Sequence, residues 1–196
     1  MTAQGELGSR GNTDTGNTDT GTTRLTGPLL GLVRIAIGYL WFTQTRWKMP
    51  PQFGCDPGKG VGDGNGGLCD WVGKEIAYPQ YGFYRDFLTG VIAPNLSTLG
   101  WLIWAGEAVT AILLIFGVLT RLGGFLGFVQ GMNLWLGLSS VPHEWYWTYI
   151  MLALINLALA LTAAGRWIGF DAILHPRAAA AGARGSRLGR LVALLT

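Results

Sequence analysis

Residues 27–42 read "GPLLGLVRIAIGYLWF". Fifteen of these sixteen residues suit the inside of a bilayer, and Arg34 does not. A guanidinium in hydrocarbon costs roughly 2.5 kcal/mol or more even on the gentlest scale. The stretch therefore poses two linked questions: how many such segments the chain has, and which groups around Arg34 offset its cost.

The chain has 196 residues, of which 49% are apolar and only 13% charged. That charged share is about half the usual one for a soluble domain. Four segments approach the ~20 residues that cross a bilayer. They cover residues 28–47, 96–119, 122–138 and 145–164. The third is at the short end, where a buried or re-entrant helix is the alternative. The first starts late and has no small-residue cleavage site after it, unlike a signal peptide. Composition and spans together predict an all-α, integral membrane four-helix bundle over residues 25–175. The Gly/Thr/Asp repeat "GNTDTGNTDTGTT" ahead of it cannot build a core, so residues 1–24 are expected to be a disordered tail. Residues 176–196 form a basic C-terminal tail, either an amphipathic segment on anionic lipid or a docking element, or simply frayed.

Four spans put both termini on one side. That side carries Arg10, Arg24, Arg121, Arg166, Arg177, Arg184, Arg187 and Arg190. On the other side Arg46, Lys48, Lys59, Lys74 and Arg85 are balanced by Asp56, Asp63, Asp70, Glu75 and Asp86. The positive-inside rule then places both termini in the cytoplasm and the chain in the plasma membrane.

The outer loop spans residues 48–95 and holds both cysteines, Cys55 and Cys69. An oxidising exterior favours a disulfide between them, and two free thiols are the alternative. The glycine-rich piece "GKGVGDGNGG" is not a phosphate-binding loop, because Gly60 follows Lys59 where Ser or Thr is needed. It reads as a floppy connector. Beyond it, Leu68, Trp71, Val72 and Ile76, then Phe83, Phe87, Val91 and Ile92, recur at helical spacing. Two short amphipathic helices on the membrane surface are expected, ended by Pro79 and Pro94, and they could lie as a lid over the bundle.

Inside the spans the polar residues are few. Gly27, Gly31, Arg34 and Gly38 share one face of the first, and Gly123, Gly127 and Gly131 make a Gly-x-x-x-Gly ridge on the third. Glu107, Gln130, Asn133 and Asn156 complete the set. At ~1.5 Å per residue, Arg34 lies roughly 9 Å in from the cytoplasmic end, Asn156 roughly 12, Gln130 roughly 13 and Glu107 and Asn133 roughly 18. An Arg34–Glu107 ion pair dressed by the three amides is the expectation. It reads either as a clasp that fixes helix packing or as a site for a head group, a quinone carbonyl or a relayed proton. In the second reading Glu107 exchanges protons and Arg34 holds an anion or tunes the acid.

At the outer mouth, "SSVPHEWYWTY" sets His143 and Glu144 among four aromatics. This is either an interfacial aromatic belt or the mouth by which a substrate or quinone enters. Two histidines near opposite ends of the bundle cannot jointly hold a haem, and no metal-ligand cluster or dinucleotide fingerprint is evident. Any electrons that move here are expected on a diffusible quinone or on a partner.

The pieces "GLVRIAIGYLWFTQTRWKMP", "GEAVTAILLIFGVLTRLGG" and "GRWIGFDAIL" resemble the DoxX/DoxD membrane family across about residues 25–175. The resemblance implies a four-helix membrane bundle. It also implies a subunit like DoxD, which in an archaeal thiosulfate:quinone oxidoreductase works with a separate small partner, DoxA. By position Arg34 and Glu107 match the family's buried charges; their own chemistry, not the family, makes them the candidate catalytic pair. Gln130, Asn133, Asn156, His143 and Glu144 are the candidate substrate or quinone pocket. The implied partners are the lipid bilayer and a DoxA-like or other redox subunit, with homo-oligomers left open and no nucleic acid. A non-catalytic membrane scaffold for a redox or oxidative-stress complex is the alternative. A transporter is the weakest reading, since no inverted repeat or broken helix is apparent.

Overall fold

The first helix, α1, shows why the chain packs as it does. The computed structural model describes residues 20–196 and places α1 over Thr20–Trp47. The tail expected over residues 1–24 lies outside the described residues, apart from residues 20–24, which begin α1. Arg34, Ile37, Gly38, Trp41 and Thr45 are buried, at spacings of three and four. The large apolar residues Leu29, Leu32, Tyr39 and Phe42 point outward. A helix in water does the reverse, turning its apolar stripe inward. Gly38 is at the contact because a Cβ there would come within 2.8 Å of the Ile115 backbone nitrogen.

The partner is α4, Leu96–Phe116. It does not start at Leu96 as a separate element. A short α3, Gly82–Phe87, runs through a π-helical turn at Leu88–Ile92 and a 3-10 turn at Ala93–Asn95 directly into it. Pro94 was expected to end a surface helix. Instead the change of winding accommodates its ring and missing N–H, and a helical rod of 35 residues results. Pro79 does lie just past the end of α2, Gly67–Ala77.

Gly117 takes a left-handed φ of 64° and closes α4. Three residues later α5 begins and runs Thr120–Leu138. A turn so short makes α5 antiparallel to α4. It then packs along α6, Tyr146–Thr162, through its glycines. A Cβ at Gly127 would lie 2.1 Å from Asn156 Oδ1, and one at Gly124 would lie 2.6 Å from the Ala160 nitrogen. Gly123 instead faces α4, 2.8 Å from Leu113 Cβ by the same construction. The expected ridge is thus split between two neighbours. Ile37, Trp41, Ala111, Leu114, Leu159 and Ala164 form the core where α1, α4 and α6 meet.

Residues Leu25–Trp47 and Gly82–Phe116 are long and apolar enough to cross a membrane, with mean hydropathy 1.5 and 1.9. Only 33% and 28% of their most apolar windows are buried, so they are not the core helices of a soluble protein. At the far end, residues 176–196 lie in two packed helices, α7 Asp171–Ala183 and α8 Arg187–Leu195. No strand occurs among the described residues.

The segment between α1 and α3 folds back as a roof. Phe53, Leu68, Cys69, Val72 and Leu96 form a second apolar cluster, tied by the Cys55–Cys69 disulfide. The glycine-rich piece is not floppy here. Buried Asn65 donates to the carbonyls of Lys59 and Gly60 at 3.2 Å each and accepts from the Asp56 and Gly66 amides.

Candidate functional site

Beneath the roof lies a cavity of about 680 Å³, walled by α1, α4, α5 and α6 and covered by α2 and α3. Its lining is mostly apolar and aromatic, including Leu40, Trp41, Trp71, Phe87, Ile103 and Leu134. A few polar groups converge within it, the usual composition of a small-molecule site.

The first group is an ion pair. Lys48 follows the last residue of α1, and its Nζ reaches 2.5 Å from Glu107 Oε1 in the middle of α4. Both residues are 4% exposed. The second carboxylate oxygen, Oε2, is buried with no hydrogen-bond partner among the described residues. A buried carboxylate oxygen without a donor is costly, so the side chain is poised to take a hydrogen bond from something in the cavity.

The second group lies on the roof. Tyr84 OH sits 3.2 Å from Glu75 Oε2 and 2.9 Å from Asn133 Oδ1. One hydroxyl proton cannot serve two acceptors, so the arrangement is satisfied when Glu75 carries a proton of its own. Burial pushes the Glu75 carboxyl up to about 7, against the opposing pulls of the Tyr84 hydrogen bond and the Lys48 charge. Gln130 donates to Thr110 Oγ1 at 2.8 Å, and Tyr149 donates to Glu144 Oε2 at 2.9 Å.

The structure brings together Glu107, Gln130 and Asn133 in the lining of this cavity. Asn156 stands one layer back, accepting from Trp41 Nε1 at 3.3 Å. Glu144 touches the site through Tyr149, and His143 is exposed in a turn with φ of 69°. Arg34 is elsewhere. The expected Arg34–Glu107 pair does not form, because Lys48 holds the carboxylate. Arg34 instead donates to the carbonyl oxygens of Leu114, Ile115 and Ile168. Its electrostatic counterpart is Asp171. That buried aspartate accepts the Leu119 and Thr120 amides at 2.8 Å each, while its own amide donates to Gly117. Arg34, the turn after α4 and the "GFD" segment thus form one knot that ties the middle of α1 to the end of α4 and the starts of α5 and α7.

Lys48, Glu75, Tyr84 and Tyr149 were not singled out from the sequence. Lys48 follows "TQTRW" at a helix end, where a cation passes for an interfacial anchor. Glu75 did leave a signal. It sits seven residues after Leu68 and three after Val72, on the apolar face of α2.

A family model described as "TQO small subunit DoxD" matches residues 30–186. The chain belongs to the DoxD family. Its exposed apolar helices and its family together make it a membrane protein. No curated protein and no solved structure matches it. The DoxD motifs quoted above map largely onto the Arg34–Asp171 knot, and the cavity draws Glu107 and Lys48 from their other ends.

Proposed function

We propose that this DoxD-family chain is the membrane subunit of a quinone-linked oxidoreductase of the thiosulfate:quinone type, and that the roofed cavity receives the quinone. The observation that carries this reading is the cavity itself. It is an apolar chamber of about 680 Å³ with a buried Lys48–Glu107 pair on one wall and, on the roof, Glu75 and Tyr84 joined to Asn133 of the α5 wall. A quinone supplies a flat apolar ring whose two carbonyl oxygens take up two electrons and two protons. Lys48 Nζ can donate to one oxygen. The unpartnered Glu107 Oε2 can accept from the hydroxyl that results. Glu75, with a pKa near neutral, can hold or release a proton at working pH. The aromatic walls exclude water and hold the ring.

In this reading all four long helices cross the bilayer, with both termini in the cytoplasm. At ~1.5 Å per residue α5 rises roughly 28 Å, close to the ~30 Å of hydrocarbon. The shorter α6 begins beside Trp145 and Trp147, aromatics suited to the interface. A DoxA-like subunit supplies what this chain lacks.

The test is thiosulfate-dependent quinone reduction in membranes with and without the chain, with its co-encoded partner supplied. A rate is expected only with the chain, and Glu107→Gln should lower kcat by about 10²-fold or more while the protein still folds. No rate from folded chain plus partner would sink thiosulfate as donor and leave the scaffold reading in front.

A further inference from the structure

At the opposite end from the roof, a pocket of about 310 Å³ opens between the first turn of α5 and the turn after α6. Arg121, Thr162, Ala163, Arg166 and Trp167 line it. Two guanidinium groups therefore share one depression. The Arg166 charge is disfavoured first by burial and then by Arg121, with Asp171 acting the other way. Asp171 is already engaged by two backbone amides. Among the described residues, no aspartate or glutamate side chain forms an ion pair with either arginine.

What holds the arginines is backbone oxygen from the end of α8. Arg166 donates to the Thr196 oxygen at 2.8 and 3.2 Å, and Arg121 to the Leu194 oxygen at 3.4 Å. Arg121 Nε is buried with no hydrogen-bond partner among the described residues. Two positive forks with spare donors call for an anion that accepts several hydrogen bonds in one plane, and a phosphate does so.

The surroundings choose the kind of phosphate. The indole of Trp167 is 57% exposed at the pocket, and Leu161, Phe170, Leu191 and Leu194 stand exposed nearby in the fold or on α8. A free ion in water has no use for such a skirt. A phospholipid does, since its phosphate sits where acyl chains begin. Tryptophan prefers that level, and basic pockets at the cytoplasmic ends of membrane helices suit anionic head groups.

We propose that the Arg121–Arg166 pocket binds the phosphate of an anionic phospholipid of the adjacent leaflet. A zwitterionic lipid is disfavoured there, because its cationic head would lie beside two arginines.

The test uses the full chain, stripped of lipid in detergent and exposed to mixed micelles holding equal phosphatidylglycerol and phosphatidylcholine. Retained lipid is counted by mass spectrometry. Phosphatidylglycerol should be retained with roughly tenfold preference or more. R121Q/R166Q should remove the preference, and R121K/R166K, which keeps charge but loses the forks, should keep part of it. Should the glutamine variant fail to fold, the wild-type comparison decides alone: equal retention of the two lipids overturns the proposal. Inorganic phosphate at equal phosphate concentration should leave retention unchanged. If it displaces the lipid, the site takes a free anion and the lipid assignment falls.

Discussion

Arg34 and Glu107 are both buried charges in apolar helices, and the protein engages them by different means, leaving Arg34 Nε and Glu107 Oε2 without a hydrogen-bond partner among the described residues. Arg34 is wholly buried and spends its donors on carbonyls that α4 leaves open at its end and on Ile168. Arg34→Gln would strand those carbonyls, and each buried unpaired group costs roughly 1–3 kcal/mol. We expect a large loss of stability in denaturant titration, little rescue by Arg34→Lys, which lacks the planar fork, and normal turnover per folded molecule. Glu107→Gln should instead abolish turnover, with some loss of stability because Lys48 loses its buried counter-charge; if Arg34→Gln abolished turnover in folded protein, the purely structural account of Arg34 would be wrong. Glu75 adds a pH dependence. Its carboxyl titrates near 4.5 when exposed and near 7 when folded. Between those values the folded protein keeps a proton that the unfolded chain releases, so stability falls as pH rises through that window. Glu75→Gln should flatten this part of a melting-midpoint profile, and an unchanged slope would assign the dependence to other groups. That Arg34 had to be buried among partners was legible in the sequence. Its partners were not, because helical depth says how far in a residue lies and not which way it faces. Backbone carbonyls leave no mark in the sequence at all.

The elements divide into a glycine-seamed body and a roof that is stapled over it. Gly127 marks the seam, where a methyl group would meet the Asn156 side chain, itself the acceptor for Trp41. The roof depends on residues far apart in character: an apolar cluster, buried Asn65 and the Cys55–Cys69 bond across 14 residues. Closing a loop of that length is worth roughly 3 kcal/mol on the chain-entropy account. Cys55→Ser or added reductant should therefore open the loop to protease between residues 54 and 66 first. The α1, α4, α5 and α6 body should stay intact on the same gel. Simultaneous loss of body and loop would show that the two are a single cooperative unit. Periodicity made α2 and its amphipathic face legible in advance. It could not show that α3 runs on into α4, since a proline reads as a stop unless the helix can change its winding around it. Nor could it show the connector as ordered, because Asn65 acts through backbone contacts that only the folded loop creates.

At the scale of the molecule, what is exposed matters most. Large apolar residues cover the outer faces of α1, α4, α5 and α6, while the polar groups turn inward around a chamber near one end and a knot near the other. Such a surface, in a chain of this family, is that of a membrane protein. The span pattern in the sequence announced this much. The chamber stayed hidden because it needs Lys48 from the end of α1 and Glu75 from α2 to line one cavity with Tyr84 and Glu107, which lie 23 residues apart on the α3–α4 rod. The arrangement also carries a topology that can be checked directly. The short turn after α4 makes α5 return antiparallel, so the outer turn at Ser140 and the C-terminal hairpin at Ala183 should lie on opposite sides of the membrane. Both positions are exposed, and both native cysteines are consumed in the disulfide. A membrane-impermeant maleimide applied to intact cells should therefore label Ser140→Cys and spare Ala183→Cys until the membrane is opened. Labelling only Ala183→Cys would invert the orientation and place the chamber toward the cytoplasm. Labelling both would mean that α5 or α6 does not cross, and the quinone chamber would then lack the lipid access on which its proposed chemistry depends.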